Sequence, residues 1–192
     1  MGQIQQLLHI YRIKFKLVKA EMNLGNYKSR ILMDCLENLS QNESFTDMQE
    51  YIQHGRTNCL LHSIAVAYFS YSAATFLHLK LNQKSLIRGA LLHDFFLYDW
   101  HDPDATHKLH GFTHPKTAFE NALHIWELND IEKDIILKHM FPLVPALPRY
   151  KESILVCVID KICSMAEILF LPYCKEVRIL YFFTQIKYFN CD

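Results

Sequence analysis

His93 and Asp94 stand side by side at the end of the apolar run Ile87-Arg88-Gly89-Ala90-Leu91-Leu92. Such a run belongs in a protein core, and an ionisable side chain carried in with it needs a hydrogen-bond partner, an opposite charge or a metal ion. The chain offers partners of the same kind. His62 interrupts Leu60-Leu61 and Ile64-Ala65-Val66-Ala67, and Asp160 follows Ile154-Leu155-Val156-Cys157-Val158-Ile159. His114 falls at a helix start and His139 at a helix end, places from which a side chain reaches inward without breaking the core. Any one of these six alone reads as a satisfied buried polar group. Together, four imidazoles and two carboxylates suit borderline first-row divalent ions such as Fe, Mn, Co, Ni or Zn. At a helix end, His93 can bind one ion while the Asp94 carboxylate bridges two.

Other polar residues crowd the same stretch. His110 lies four residues before His114 and competes with it as a ligand. Asp99, His101, Asp102, Asp104 and His107 fill the loop after the pair and either line a substrate mouth or are simply solvated. Lys161 beside Asp160, Arg56 before His62, and Lys116 are candidate cations for an anionic substrate, each also readable as a surface charge. His9, His54, His78 and His124 read as ordinary helix histidines, and Cys157 and Cys163 as buried thiols.

Helical spacing dominates the elements that must position these residues. Ile4 to Lys19 and Tyr27 to Leu39 carry apolar residues at steps of three and four. A polar stretch, Ser40 to Thr46, precedes a short helix expected around Asp47 to Gln53. The next helix is expected from Thr57, as N-cap, to Lys80, and another from about Gln83 to the His93-Asp94 pair. Phe95 to Thr113 reads as a long loop. Thr113 then precedes a helix with Pro115 in its first turn, running to about Trp126. Asn129 or Asp130 caps Ile131 to His139, three prolines (Pro142, Pro145, Pro148) forbid regular structure, and Lys151 to Leu169 is a strongly apolar helix. Val177 to Phe189 is either a last helix or a partly exposed surface. Strand-like alternation is scarce, so the fold class is all-α, a single compact helical bundle.

Twenty basic and twenty acidic residues cancel, which leaves no overall field to recruit nucleic acid or an anionic membrane. The locally basic segment from Arg12 to Arg30 reads as a solvated helix face. No apolar stretch reaches the ~20 residues that span a bilayer. Six cysteines without C-x-x-C spacing, and no signal-like opening segment, lead to the expectation of reduced thiols in a cytoplasmic protein.

The order His, His-Asp, His, His, Asp resembles the HD-domain metal-dependent phosphohydrolase superfamily. Its elements stand here as Leu61-His62-Ser63, Leu91-Leu92-His93-Asp94, His114-Pro115-Lys116-Thr117-Ala118, Lys138-His139-Met140 and Ile159-Asp160-Lys161. The resemblance implies a metal-binding helical core over residues 56–170. Residues 1–55 would be N-terminal helices packing on it and residues 171–192 a C-terminal helix or tail, all within one structural domain. It further implies that His62, His93, Asp94 and Asp160 hold a first ion and that Asp94 bridges to a second held by His114 and His139. That favours His114 over His110, because Pro115 and Ala118 match the family context. The two extra histidines are similar to the binuclear branch that includes bacterial diadenosine tetraphosphate hydrolases.

The implied activity is hydrolysis of a nucleotide or another small phosphate ester by a metal-activated hydroxide, with Asp94, Lys161 and Arg56 as catalytic residues. Phe95-Phe96-Leu97-Tyr98 lacks the Glu-Asp that guanosine tetraphosphate hydrolases carry after their pair. His139-Met140-Phe141-Pro142 departs from the Gly-Tyr-Pro type of cyclic-di-GMP phosphodiesterase, and the continuation found in dNTP triphosphohydrolases is absent. Two alternatives stand beside hydrolysis: a di-iron oxygenase of the same superfamily, and a non-catalytic nucleotide-binding regulatory module.

Overall fold

Asparagine side chains start three of the helices that build the core. Asn58 Oδ1 accepts from the Leu61 amide, Asn82 Oδ1 from that of Ser85, and Asn129 Oδ1 from those of Ile131 and Glu132. The Glu132 carboxylate in turn accepts from the Asn129 N–H, which completes a capping box. The computed structural model describes residues 28–100 and 109–188. In order, the described elements are α1 (Lys28–Leu39), α2 (Glu43–Thr46), a 3-10 turn (Asp47–Glu50), β1 (Ile52–His54), β2 (Thr57–Asn58) and α3 (Cys59–Phe76). Then follow α4 (Gln83–Leu92), α5 (His110–Ile125), α6 (Asp130–Lys138), α7 (Lys151–Ile168) and α8 (Lys175–Tyr188). The architecture is all-α and compact, with one small antiparallel hairpin among the described residues. The helix expected over Ile4 to Lys19, most of the basic segment, and His101, Asp102, Asp104 and His107 lie outside the described residues.

Four expectations need correction. The short helix comes earlier than Asp47 to Gln53, because Asn42 caps it through the Ser44 amide and Phe45 and Met48 enter the core. Residues Ile52–His54 instead pair with Thr57–Asn58. The turn between them places Gly55 at φ +58, and a Cβ there would lie 2.9 Å from the Glu167 carbonyl oxygen. Thr57 therefore sits in β2, and Asn58 caps α3. That helix stops at Phe76, short of Lys80, as His78 turns to φ +52 and the Leu79 amide reaches back to the Ala74 carbonyl. Helix α5 begins at His110, before Thr113, because the Leu109 carbonyl accepts from both the Phe112 and Thr113 amides. Pro115 thus falls in the second turn, where it forgoes one backbone hydrogen bond.

Helices α3 and α4 pair most extensively, with α6 packed on α4 and α7 on α3 and α6. Gly89 sets the closest approach: a Cβ on it would lie 2.5 Å from Ile135 Cδ1 of α6. The ends of α4 and α6 are thereby drawn together, and the residues capping them are His93 and His139. Phe95 and Phe96, next after the pair, are buried and anchor the chain as it leaves α4. Burying each such side chain contributes about 1.5–3 kcal/mol. Helix α8 buries Val177, Leu180 and Phe183 against the bundle and contacts α3, so the described part of the tail is a packed helix. Among the described helices, α3 is long and apolar enough to cross a membrane by length and composition, and most of it is buried inside the bundle.

Candidate metal centre

Five elements converge on Asp94, whose carboxylate is 2 % exposed. Its two oxygens face different pairs of imidazoles. Oδ2 lies 3.3 Å from His93 Nε2 and 3.6 Å from His62 Nε2. Oδ1 lies 3.2 Å from His114 Nε2 and 3.4 Å from His139 Nε2. Asp160 Oδ1 closes the first group, 3.1 Å from His62 Nε2 and 3.7 Å from His93 Nε2. All six residues singled out in the sequence therefore meet in one place, and all six are buried.

Each imidazole is oriented through its other nitrogen. His93 Nδ1 lies 2.7 Å from the Ala90 carbonyl oxygen, His114 Nδ1 2.9 Å from that of His110, and His139 Nδ1 2.8 Å from that of Ile136. A carbonyl only accepts, so Nδ1 carries the proton in all three, and the neutral ring turns the Nε2 lone pair inward. This is the tautomer a metal-binding histidine needs. His62 differs in having a carboxylate behind it: its Nδ1 lies 3.0 and 3.1 Å from the two oxygens of Glu167. Glu167 in turn accepts a hydrogen bond from the Tyr173 hydroxyl.

These donors fit a divalent ion better than they fit one another. His93 Nε2 and Asp94 Oδ1 are buried and meet no hydrogen-bond partner. His114 Nε2 and His139 Nε2 face each other at 2.8 Å, lone pair against lone pair when both rings are neutral. Ligands bound to one ion at about 2.1 Å are separated by roughly 3.0–3.4 Å, whether the geometry is octahedral or tetrahedral. Both spacings at Asp94 Oδ1, 3.2 and 3.4 Å, fall in that range, and those at Oδ2, 3.3 and 3.6 Å, lie within it and just beyond it. Two groups can each hold an ion, His62 with His93 and Asp94, and Asp94 with His114 and His139.

Protonation follows from the same packing. Burial opposes charge on His62, yet Glu167 and Asp160 outweigh it and raise its pKa well above the ordinary value. Burial likewise opposes charge on His93, but the Asp94 and Asp160 carboxylates push its pKa up to about 9. Burial would raise the pKa of Asp94, and its histidine neighbours instead hold it well below the usual carboxylate range. Asp160 is lowered in the same way by His62 and His93. His139 is lowered, with burial the main cause. Without an ion, then, the neighbouring carboxylates favour the charged form of both His62 and His93.

The remaining candidates have other contacts. Lys161 Nζ donates to the His139 carbonyl at 2.7 Å and the Cys157 carbonyl at 3.2 Å, and lies 4.0 Å from Asp160 Oδ2. Arg56 is exposed, with its guanidinium 5.7 Å above the Phe170 ring. Lys116 is on the surface beside Glu120. His110 stacks between Trp100 and His114, and its Nδ1 lies 2.8 Å from the Tyr98 hydroxyl. His114 is the one that reaches Asp94. His54 packs edge-on against His62.

Sequence reasoning missed two groups. Gln53 in β1 donates from Nε2 to Asp94 Oδ2 at 2.5 Å, and its Oε1 accepts from the Cys59 thiol. Glu167 stands behind His62. The available signal for Glu167 was its position seven residues after Asp160, two turns along one helix and so on the same face. No comparable signal marks Gln53, because it reaches the site through the unforeseen hairpin. Compared with protein-family models, curated proteins and solved structures, the chain matches none.

Proposed function

We propose that the protein is a metal-dependent phosphohydrolase of the HD type, acting on a nucleotide or another small phosphate ester. The observation that carries this reading is Asp94, which turns one oxygen to His62 and His93 and the other to His114 and His139. A carboxylate so shared would let Asp94 serve both groups if each held a cation. The donors are nitrogen and oxygen only, which suits Fe, Mn, Co, Ni or Zn. Bound there, such ions would lower the pKa of water toward ~7 and draw charge from a phosphoryl oxygen.

The chain supplies the rest. Asp94 and Asp160, even with Glu167, carry fewer negative charges than two divalent ions bring, so an anionic group completes the balance. The carbonyls of Ala90, His110 and Ile136 hold three of the rings in place with Nε2 facing inward. Lys161, partly exposed beside Asp160, is the cation best placed to meet a phosphoryl oxygen, and Arg56 on the hairpin turn is the second. Each would exchange its present contact for the substrate.

The test is metal analysis of the purified full chain, followed by phosphate-release assays on a nucleotide and phosphoester panel after loading each metal in turn. Bound metal, hydrolysis of a panel member and loss of both in Asp94→Ala support the reading. Metal-replete protein that cleaves nothing contradicts it. Mixed-valent iron by EPR with oxygen consumption would favour the di-iron oxygenase, and tight nucleotide binding without turnover the regulatory module.

A further inference from the structure

Helix α7 has two faces of opposite use. Its inner face carries Asp160 and Glu167 into the metal centre. Its outer face presents Ile154, Val158, Ile162, Met165 and Leu169 to solvent and continues through Phe170 and Leu171, each between 50 and 66 % exposed. The steps of three and four place the helical members on one stripe. Between Ile154 and Leu169 no charged side chain of α7 lies on it, since Lys161 turns to the His139 carbonyl and Asp160 and Glu167 are buried; exposed Lys151 and the Arg56 guanidinium over Phe170 flank its two ends.

A solvent-facing helix ordinarily shows its polar side, and a contiguous apolar patch above a few hundred Å² marks a binding surface. The stripe exposes roughly 700 Å², close to the ~800 Å² that each partner contributes to a stable interface. Its pattern also suits a copy of itself. Laid antiparallel about a two-fold axis near Ile162, Val158 would face Met165 of the second copy, and Ile154 would face Leu169. An isologous contact centred there brings no charged side chain of the central stripe into the seam.

We propose that the outer face of α7 is a homodimer interface, with a second copy of this chain as its occupant. Pairing there would clamp the helix whose opposite face supplies Asp160 and Glu167. The inference stands apart from the proposed chemistry, because it uses only the side of α7 away from the metal centre.

The experiment is sedimentation velocity or light scattering on the full chain at micromolar concentration. The expected mass is twice the 22.7 kDa of one chain. The Val158→Glu, Ile162→Glu double variant is expected to halve the measured mass while keeping the helical circular dichroism of the parent. Should that variant fail to fold, Ile162→Cys treated with a short bis-maleimide should give a 162-to-162 cross-link between copies, identified by peptide mass spectrometry. A full-chain monomer overturns the proposal, whether residues 1–27, a membrane or another protein covers the stripe. So does a dimer that the double variant leaves intact, or one that forms no cross-link at position 162.

Discussion

His114 and His139 bring their Nε2 atoms to 2.8 Å while each turns Nδ1 to a backbone carbonyl. Two neutral imidazoles so held repel, and the repulsion is relieved when a cation accepts both lone pairs. Divalent metal should therefore stabilise the fold. At a hundred times the dissociation constant, one site gives about 2.7 kcal/mol. For a chain of this size that raises Tm by roughly 5–10 °C. Thermal melts of chelator-treated protein with and without added Mn, Co or Zn measure the effect, and Asp94→Ala should abolish it. A Tm that no metal moves would count against the centre.

Glu167 holds His62 from behind, in the arrangement by which a carboxylate fixes the tautomer of a metal-binding imidazole. Glu167→Gln should weaken metal affinity about 10- to 100-fold. Tyr173→Phe, which removes only the donor to Glu167, should have a smaller effect in the same direction. Isothermal titration with a single metal distinguishes the two variants. Parental affinity in Glu167→Gln would reduce Glu167 to a packing residue.

Acid–base behaviour without metal has a defined sign. The His93 pKa is raised from 6.5 to about 9, and that of His62 is raised as well. Their stabilising contribution is fully present below about pH 6.5 and is lost as pH rises toward 9. Asp94 and Asp160 are lowered, so their contribution is present above about pH 3.8 and lost as pH falls below it. Chelated protein should thus unfold at lower urea concentration at pH 9 than at pH 6. Metal must displace the same imidazole protons, so its affinity should rise with pH across that window. Greater stability of the chelated protein at pH 9 would contradict the assignment.

Gly89 lets α4 and α6 approach until any Cβ would strike Ile135. Gly89→Ala should cost about 1–3 kcal/mol by overpacking, despite alanine's better helix propensity. By moving the end of α4 against that of α6, it should also weaken metal binding. Urea unfolding and metal titration read the two effects separately. A stabilised Gly89→Ala protein would show that the helices are not in close contact there.

How much of this was legible in the sequence follows from what each residue announces. His62 and Asp160 are conspicuous because ionisable groups interrupt apolar helical runs, and His93-Asp94 because they end one. Asn129 announces its helix by position, whereas Asn82 reads only as part of the break before Gln83. Gln53 was hidden because a three-residue strand paired with a two-residue one carries no alternation to read. Glu167 was hidden because one carboxylate near a helix end looks solvated until tertiary packing buries it. The early start of α5 was missed because it has no capping side chain, only the Leu109 carbonyl. The outer face of α7 could not be told from its inner one, since periodicity shows a helix's apolar residues without saying which of them meet a neighbour.

The central claim is that Asp94 joins two metal positions in one centre. The most direct measurement is anomalous diffraction from crystals of the full chain grown with Mn or Zn. The account predicts two peaks about 3.5–4 Å apart, one beside each oxygen of Asp94. A single peak would remove the bridge, and no peak at Asp94, with metal present in the crystal, would contradict the account.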